Sequence, residues 1–244
     1  MLTIENLNKS FGSTDVLHDI NLNFSHGEII GLFGENGAGK STLMKCILGY
    51  YPCKGKVLLD GKRIDRTNID RLSFATVEHS FFPNLSAAAH SEFYQEHFPK
   101  FNERRFKGLM EFFGLPAHRA VGKLSTGQKN QIEVILALSQ GADYILMDEP
   151  FSGNDLFNRE DFYKMLLGIM EPHETLILAT HLIEEVESFI SRAVLLRSGH
   201  ILGDVTAMEL EDRGQRLTEY VKEAYGYRAD RVSRAIDQIA GEEG

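Results

Sequence analysis

The sequence is short of cysteine and of basic residues. Cys46 and Cys53 are the only cysteines in 244 residues, too few for a disulfide framework, and no metal-ligand partners stand at useful spacing beside them. We expect two small, mostly buried thiols in a reducing compartment. Asp and Glu outnumber Lys and Arg by 35 to 26, which gives a net charge of −9. This balance argues against nucleic acid or anionic lipid as the main partner, because both select clustered basic side chains.

Long apolar runs are also lacking. No stretch approaches the roughly 18 uninterrupted apolar residues of a membrane-spanning helix. Residues 1–9 lack the basic segment and the apolar run of a signal peptide. Repeats of solenoid or propeller length and low-complexity segments are missing too. We therefore expect that, where membranes matter to this protein, another chain supplies the spans.

The apolar residues that are present predict an α/β fold. They form 43% of the chain, enough for a proper core. Residues 2–24 alternate in short apolar runs broken by turn residues, which predicts antiparallel strands. Short apolar runs at 28–33, 144–147 and 176–179 predict buried strands, and 159–170 has helical spacing. Strand, helix and strand joined by short links indicate a parallel sheet.

The pattern also predicts the organisation of the chain. From 81 to 138 it becomes mostly helical and rich in phenylalanine, which indicates an inserted helical subdomain. We therefore expect one domain whose core comprises residues 1–80 and 139–205. A charged, helix-prone extension follows at 206–244.

A glycine-rich loop stands between a predicted strand and a predicted helix. Residues 34–42 read GENGAGKST and satisfy the pattern G-x-x-x-x-G-K-[ST]. In this context the pattern predicts a phosphate-binding loop, because backbone N–H groups and the helix N-terminus attract anions. The alternative is an ordinary glycine-rich turn. The residues predicted to bind the nucleotide are Asn36, Gly37, Ala38, Gly39, Lys40, Ser41 and Thr42, with Lys40 on the β and γ phosphates and Ser41 also on Mg²⁺.

Two acids end a predicted buried strand. Residues 144–149 read YILMDE, which delivers Asp148 to the metal and Glu149 to the attacking water. An apolar run ending in acids is weak by itself, since many strands end so. Beside a phosphate loop it indicates phosphoryl transfer, which needs a metal-holding carboxylate and a water-positioning group.

Residues 124–128 read LSTGQ, and alone they could be a helix start with Ser125 as the N-cap. Together with the phosphate loop and the acidic pair, they make the chain resemble the nucleotide-binding subunits of ABC transporters from residue 1 to about 206. That family carries LSGGQ, so Thr126 is a departure. The resemblance implies a P-loop NTPase core of the RecA-like type with a parallel sheet, an N-terminal antiparallel β subdomain and the inserted helical subdomain.

The resemblance also implies roles for residues outside these motifs. Ser125, Gly127 and Gln128 would contact ATP held by a second subunit in a head-to-tail dimer, with the helix N-terminus facing the γ-phosphate. Phe11 stands where the family stacks an aromatic ring on adenine, although a core aromatic would be the better interpretation without the resemblance. Val16 matches an apolar contact near the base and the ribose.

The next matches lie after two predicted strands. His181 resembles the family's switch histidine, which reaches the γ-phosphate, although a lone histidine after a strand is usually unremarkable. Residues 152–155 read SGND where the dimer-contact loop is usually SGLD, so Asn154 departs from the family.

The largest departure is Glu78, which stands where the family usually has a glutamine that coordinates Mg²⁺ and senses the membrane partner. Glutamate still offers Mg²⁺ an oxygen, but it adds a negative charge near the phosphates. Phe81 and Phe82 follow, and they cannot both bury on one strand face because successive side chains alternate. We expect part of a groove for a membrane-partner helix here. The alternative is that both rings pack into the helical subdomain.

The function implied by the resemblance is ATP hydrolysis, with Mg²⁺, that powers transport through a separate transmembrane permease. The chain would act as a homodimer or heterodimer, without nucleic acid, on the cytoplasmic inner face of the cell membrane. The charged stretch 101–106 and the compact C-terminus look most similar to bacterial exporters of drugs, peptides or lantibiotics. Two alternatives are a soluble ABC ATPase acting on ribosomes or DNA, and a degenerate binder that does not hydrolyse ATP.

Overall fold

The computed structural model describes residues 1–150 and 156–226, and for residues 156–160 it describes the backbone alone. The predicted dimer-contact loop with Asn154 therefore lies outside the described residues, as does 227–244 of the predicted extension. The strands are β1 (Leu2–Phe11), β2 (Thr14–Phe24), β3 (Ile29–Phe33), β4 (Lys54–Leu59), β5 (Lys62–Arg63), β6 (Leu72–Thr76), β7 (Tyr144–Asp148), β8 (Thr175–Ala179), β9 (Arg192–Arg197) and β10 (His200–Thr206). The helices are α1 (Lys40–Ile47), α2 (Ala87–His97), α3 (Glu103–Phe112), α4 (Thr126–Ser139), α5 (Leu156–Ile169), α6 (Ile183–Val186), α7 (Ala207–Asp212) and α8 (Leu217–Ala224).

The predicted antiparallel strands form a four-stranded sheet in the order β2-β1-β4-β5. Their apolar residues alternate, so that Leu2, Ile4 and Leu7 of β1 are buried between polar neighbours. The pairing of β1 with β2 is irregular between Ile4 and Ser10, near Asn6, whose φ of 49° is left-handed.

The central sheet has six strands in the order β10-β9-β3-β8-β7-β6. Strands β6, β7, β8, β3 and β9 are parallel, as predicted. Strand β10 returns antiparallel to β9 in a hairpin whose turn is Ser198–Gly199, so the sheet is mixed at this edge. Buried β7 and β8 are continuous apolar runs, which is typical of strands covered on both faces.

Two apolar clusters cover the two faces of the central sheet. Ile145 and Met147 of β7 belong to the cluster shared with α3 and α4, and Tyr144 and Leu146 belong to the cluster shared with α1 and the antiparallel sheet. This division follows from the alternation of side chains along a strand. Cys46 is buried in the second cluster. Among the described residues, we find no helix with the length and hydropathy of a membrane span.

The parallel arrangement decides where the site lies. Cα pairing sets Thr76 beside Asp148, Asp148 beside Ala179, and Ala179 beside Leu32. The carboxyl ends of β6, β7, β8 and β3 therefore meet at one edge, which is where ligands bind in open α/β sheets.

Candidate functional site

The phosphate loop connects β3 to α1, and two of its glycines are required by close packing. Gly39 is the N-cap of α1 with φ 109°, and a Cβ there would lie 2.8 Å from Leu17 Cδ2. A Cβ on Gly34 would lie 2.4 Å from Leu196 O. The loop thus presses against β2 and β9, which holds its backbone in place.

Lys40 is the first residue of α1 and lies along the loop that precedes it. Its Nζ donates to Gly34 O at 2.6 Å and to Glu35 O at 3.3 Å. Burial lowers the pKa of Lys40, and the neighbouring Glu149 and Asp148 raise it. The ammonium group is therefore placed between the loop and the two acids. Of the other predicted loop residues, Ala38 is buried, Thr42 is half-buried, and Asn36, Gly37 and Ser41 are exposed.

Asp148 ends β7 and is 6% exposed. Burial raises the pKa of Asp148, and a hydrogen bond with the Ser41 side chain lowers it. Its Oδ1 is buried and has no hydrogen-bond partner among the described residues. An orphaned carboxylate oxygen beside a serine hydroxyl is a donor set of hard oxygens, which fits Mg²⁺. The two residues predicted to hold the metal from β7 and α1 are thus adjacent.

Glu149 and His181 meet at the ends of β7 and β8. His181 Nδ1 lies 3.0 Å from Oε1 and 3.1 Å from Oε2 of Glu149. The backbone N–H of Glu149 donates to Ala179 O at 2.9 Å, and its φ of 49° is left-handed. The two predicted catalytic residues therefore form one hydrogen-bonded pair beside Asp148 and Lys40.

Phe11 ends β1 and is 44% exposed, so it is not a core side chain. Its ring meets the edge of Tyr51 at a centroid distance of 5.1 Å, and Lys9 Nζ lies 4.4 Å from its centroid. Val16, half-buried in β2, has its carbonyl beside Gly39 and Gly199. Sequence reasoning missed Lys9, although side chains two apart in a strand share a face, and it missed Tyr51, which no motif places near Phe11.

The LSTGQ segment is the start of helix α4, a position common to both interpretations of its sequence. Ser125 is the N-cap of α4, and its Oγ accepts from the Gln128 N–H at 3.3 Å. Gln128 Oε1 accepts in return from the Ser125 N–H at 3.1 Å, which completes a capping box. Thr126 is exposed and Gly127 is half-buried. The cap fixes the start of α4 at the surface, where the first-turn N–H groups favour an anion.

Glu78 follows β6 and is bound by a residue that sequence reasoning missed. Both of its carboxylate oxygens lie 2.7 Å from Lys45 Nζ on α1. Lys45 also acts electrostatically on Asp148, whose pKa it lowers. The structure thus places Glu78 beside the helix that carries Lys40 and Ser41. Next along the chain Phe81 is half-buried and Phe82 is 52% exposed, so one ring of the pair is accessible.

Comparisons with known proteins agree with this arrangement. A family model described as ABC transporter matches residues 17–152, more than half of the 244 residues. The SkfA peptide export ATP-binding protein SkfE of Bacillus subtilis (strain 168) is 27% identical over 229 residues, which cover 91% of this chain and 96% of that protein. The glutamine transport ATP-binding protein GlnQ of Escherichia coli (strain K12) is 30% identical over 237 residues, which cover 91% and 99%.

A solved structure shows the same fold. It is the dimeric post-hydrolysis state of the ATP-binding cassette MJ0796 bound to ADP and Pi, with a TM-score of 0.74, 22% identity, and coverage of 85% of this chain and 99% of that one. The family match over more than half of the sequence, together with the relative at 30% identity, decides the family. The chain belongs to the ABC transporter family, as an ATP-binding subunit with ATPase activity.

Proposed function

We propose that this subunit hydrolyses Mg-ATP in a head-to-tail pair and powers transport through a separate transmembrane permease. It would lie on the cytoplasmic face of the membrane. The observation that carries the proposal is the Glu149–His181 pair, which adjoins Asp148 and Lys40 at the ends of neighbouring parallel strands. In the proposed organisation of the subunit, residues 81–138 are the helical subdomain and residues 206–244 are the C-terminal extension.

Each residue of the cluster has a distinct part in phosphoryl transfer. Lys40 and the loop N–H groups neutralise the β and γ phosphates. Ser41 and Asp148 hold Mg²⁺, which neutralises phosphate charge when bound. Glu149 orients and polarises the attacking water, and His181 fixes the Glu149 carboxylate through Nδ1.

Substitutions in the cluster test this assignment. Glu149→Gln should retain ATP binding and lose turnover, because an amide polarises water poorly and cannot act as a base. Lys40→Ala should weaken ATP binding itself by about 10- to 100-fold, the effect of a lost charge-assisted hydrogen bond. Lys56→Ala is the matched control, since Lys56 is an exposed lysine paired with Glu5 at 3.3 Å. A Glu149→Gln protein that hydrolyses ATP at the wild-type rate would refute the role of Glu149.

The head-to-tail pair is supported by the exposed start of α4. The Ser125 cap holds the first turn of this helix at the surface, where it is available to nucleotide on a second subunit. The MJ0796 cassette, which has the same fold, is dimeric. Ser125, Gly127 and Gln128 would then complete the site in trans.

A groove near Glu78 supports contact with the permease. Three exposed apolar side chains lie close together in sequence here, those of Val77, Phe82 and Leu85. A cavity of about 450 Å³ lies between β6 and α2, lined in part by Phe74, Phe82 and Phe93. Aromatic anchors in such clefts dominate many helix-docking interfaces.

The groove is tested by Phe82→Ala, measured for permease binding and for ATP binding by the isolated subunit. Permease binding should fall while ATP binding stays unchanged. Phe112→Ala is the matched control, because Phe112 is similarly exposed, at 49%, but lies on α3. Equal loss in both variants, or an unfolded Phe82→Ala subunit, would refute the groove. Glu78→Ala tests the metal side separately: it should weaken Mg²⁺-dependent hydrolysis and leave the complex intact.

For the direction of transport we propose export. Support comes from the likeness to SkfE, whose name states peptide export, and from the charged stretch 101–106. The test is the native complex reconstituted in vesicles with ATP on the subunit's side. Accumulation of a labelled peptide inside the vesicles supports export, and ATP-driven release of preloaded peptide refutes it.

A further inference from the structure

A buried carboxylate on α4 has no part in the nucleotide site described above. Glu133 is 3% exposed on a helix whose neighbouring positions, Ile132 and Val134, are apolar core residues. Burial raises the pKa of Glu133 to about 7. Burying a carboxylate is costly unless hydrogen bonds replace its water. The buried Glu133 carboxylate therefore requires a hydrogen-bond donor beside it.

That partner is Ser80, in the segment that carries Glu78. The Ser80 N–H donates to the Glu133 carboxylate at 3.0 and 3.2 Å, and the Ser80 hydroxyl donates to Oε1 at 2.5 Å. Both the backbone and the side chain of Ser80 are thus fixed to α4.

The same short segment is fixed at its other end to α1. Lys45 holds both oxygens of Glu78 at 2.7 Å. Between the two anchors, His79 has a left-handed φ of 57°, which turns the chain so that Glu78 faces α1 and Ser80 faces α4. Residues 78–80 are therefore a strap between the phosphate-loop helix and the helix that begins at LSTGQ.

Glu133 lies eight residues after Ser125, which is about 12 Å along α4 at 1.5 Å per residue. Both Glu133 and the Ser125 cap belong to this one continuous helix, so a movement of Ser80 that carries Glu133 with it would also move the capped N-terminus.

We propose that Glu133 is a positioning residue that fastens the strap of residues 78–80 to α4. Through this contact, Mg²⁺ bound on the Glu78 side of one subunit sets the orientation of the N-terminus of α4, where LSTGQ faces the partner subunit. This inference rests on the proposed roles of Glu78 and of the head-to-tail pair. Glu133 touches neither nucleotide nor metal in this scheme. Its effect passes through Ser80.

The test uses three substitutions of the Ser80–Glu133 contact, here called the latch. Glu133→Ala removes the acceptor, Ser80→Ala removes the hydroxyl and keeps the N–H, and Glu133→Gln keeps one acceptor oxygen. Glu174→Gln is the matched control, because Glu174 is another buried carboxylate, 4% exposed, that pairs with Arg105 away from the strap. Each variant is measured for ATP affinity, turnover and thermal melting. In the Glu149→Gln background, the ATP concentration needed for dimerisation is measured by light scattering.

We expect Glu133→Ala and Ser80→Ala to bind ATP as the wild type does. Turnover should fall, and the ATP concentration needed for dimerisation should rise, each on the order of tenfold, as for a lost coupling between sites. Glu133→Gln should lose less turnover than Glu133→Ala and should dimerise at a lower ATP concentration than Glu133→Ala does. Glu174→Gln should lower the melting temperature and leave turnover per folded molecule unchanged.

If the latch variants lower only the melting temperature, as Glu174→Gln does, Glu133 has a structural role and the inference is wrong. Ser80→Ala decides the matter where Glu133→Ala fails to fold. Failure of the proposed function is distinguishable, because it would appear in the wild type as absent Mg-ATP hydrolysis or absent ATP-dependent pairing.

Discussion

His181 Nδ1 lies 3.0 Å from Glu149 Oε1, and the two residues stand at the ends of adjacent parallel strands. The contact depends on an unusual backbone at Glu149, whose φ is 49°. Left-handed backbone at a residue with a side chain costs on the order of 1–3 kcal/mol, and apart from turns it is concentrated at functional sites. Glu149, the first residue after β7, is thus held in a backbone conformation that directs its carboxylate to His181.

His181→Ala is expected to lower turnover by about 10² to 10⁴-fold, because Glu149 loses the group that fixes its carboxylate. ATP affinity should change little, since Lys40 and the loop remain. Steady-state hydrolysis and equilibrium ATP binding separate the two effects. His173→Ala is the control, as His173 is exposed in the turn before β8. A variant that loses ATP affinity and turnover in equal measure would show that His181 acts in binding.

Ser125 allows a test of pairing that keeps its helix capped. Asp and Asn are as good as Ser at an N-cap. In the Glu149→Gln background, Ser125→Asp should abolish ATP-dependent dimerisation, because its carboxylate would face the phosphates of the second subunit. Ser125→Asn should retain dimerisation, and light scattering with ATP measures both. Dimers of undiminished stability in Ser125→Asp would place the segment away from nucleotide.

Arg105 links α3 to the start of β8 through a buried ion pair. It donates to Glu174 Oε1 at 2.6 Å and Oε2 at 3.0 Å, and to the carbonyls of Leu138 and Ile169. Arg105→Ala should lower the free energy of unfolding by about 3–5 kcal/mol, because Glu174 would be left buried without its cation.

The measurement for Arg105→Ala is urea denaturation of the isolated subunit. Arg104→Ala is the matched control, since Arg104 is exposed on the same turn of α3. Its unfolding free energy should change by less than about 0.5 kcal/mol. Equal effects of the two substitutions would contradict the importance of the buried pair.

Glu133 should make stability depend on pH near neutrality. Burial raises its pKa to about 7, so the folded protein holds this proton to a higher pH than the unfolded chain does. Stability therefore falls as the pH rises from the ordinary glutamate pKa to about 7, and the loss is complete above it. Burial and the nearby Glu133 charge raise the pKa of the Tyr50 and Tyr94 phenols, so both are uncharged in this pH range.

Glu133→Gln removes this dependence, because an amide does not titrate. The difference in unfolding free energy, variant minus wild type, should therefore grow by on the order of 3 kcal/mol as the pH rises from about 4.5 to 8, at 1.36 kcal/mol per pKa unit. Urea denaturation across that range measures it, with Glu174→Gln in parallel. A difference that stays constant with pH would mean that Glu133 keeps an ordinary pKa.

Local patterns in the sequence predicted those parts of the site that lie within a few residues of each other. The phosphate loop is a continuous nine-residue segment, and the capping box of α4 joins residues only three apart. Asp148 and Glu149 follow a buried strand directly. Since parallel strands end at one edge, their nearness to Lys40 also followed from the α/β pattern.

Tertiary structure decided the contacts between distant segments. Glu78 and Lys45 are 33 residues apart, Ser80 and Glu133 are 53 apart, and Arg105 and Glu174 are 69 apart. No spacing rule relates such residues, because their distance is set by how α1, α3 and α4 pack on the central sheet. The sequence by itself therefore determined which chemical groups make up the predicted phosphate site, whereas packing alone determined that Glu78 is held by Lys45 and that Ser80 is fastened to a buried Glu133.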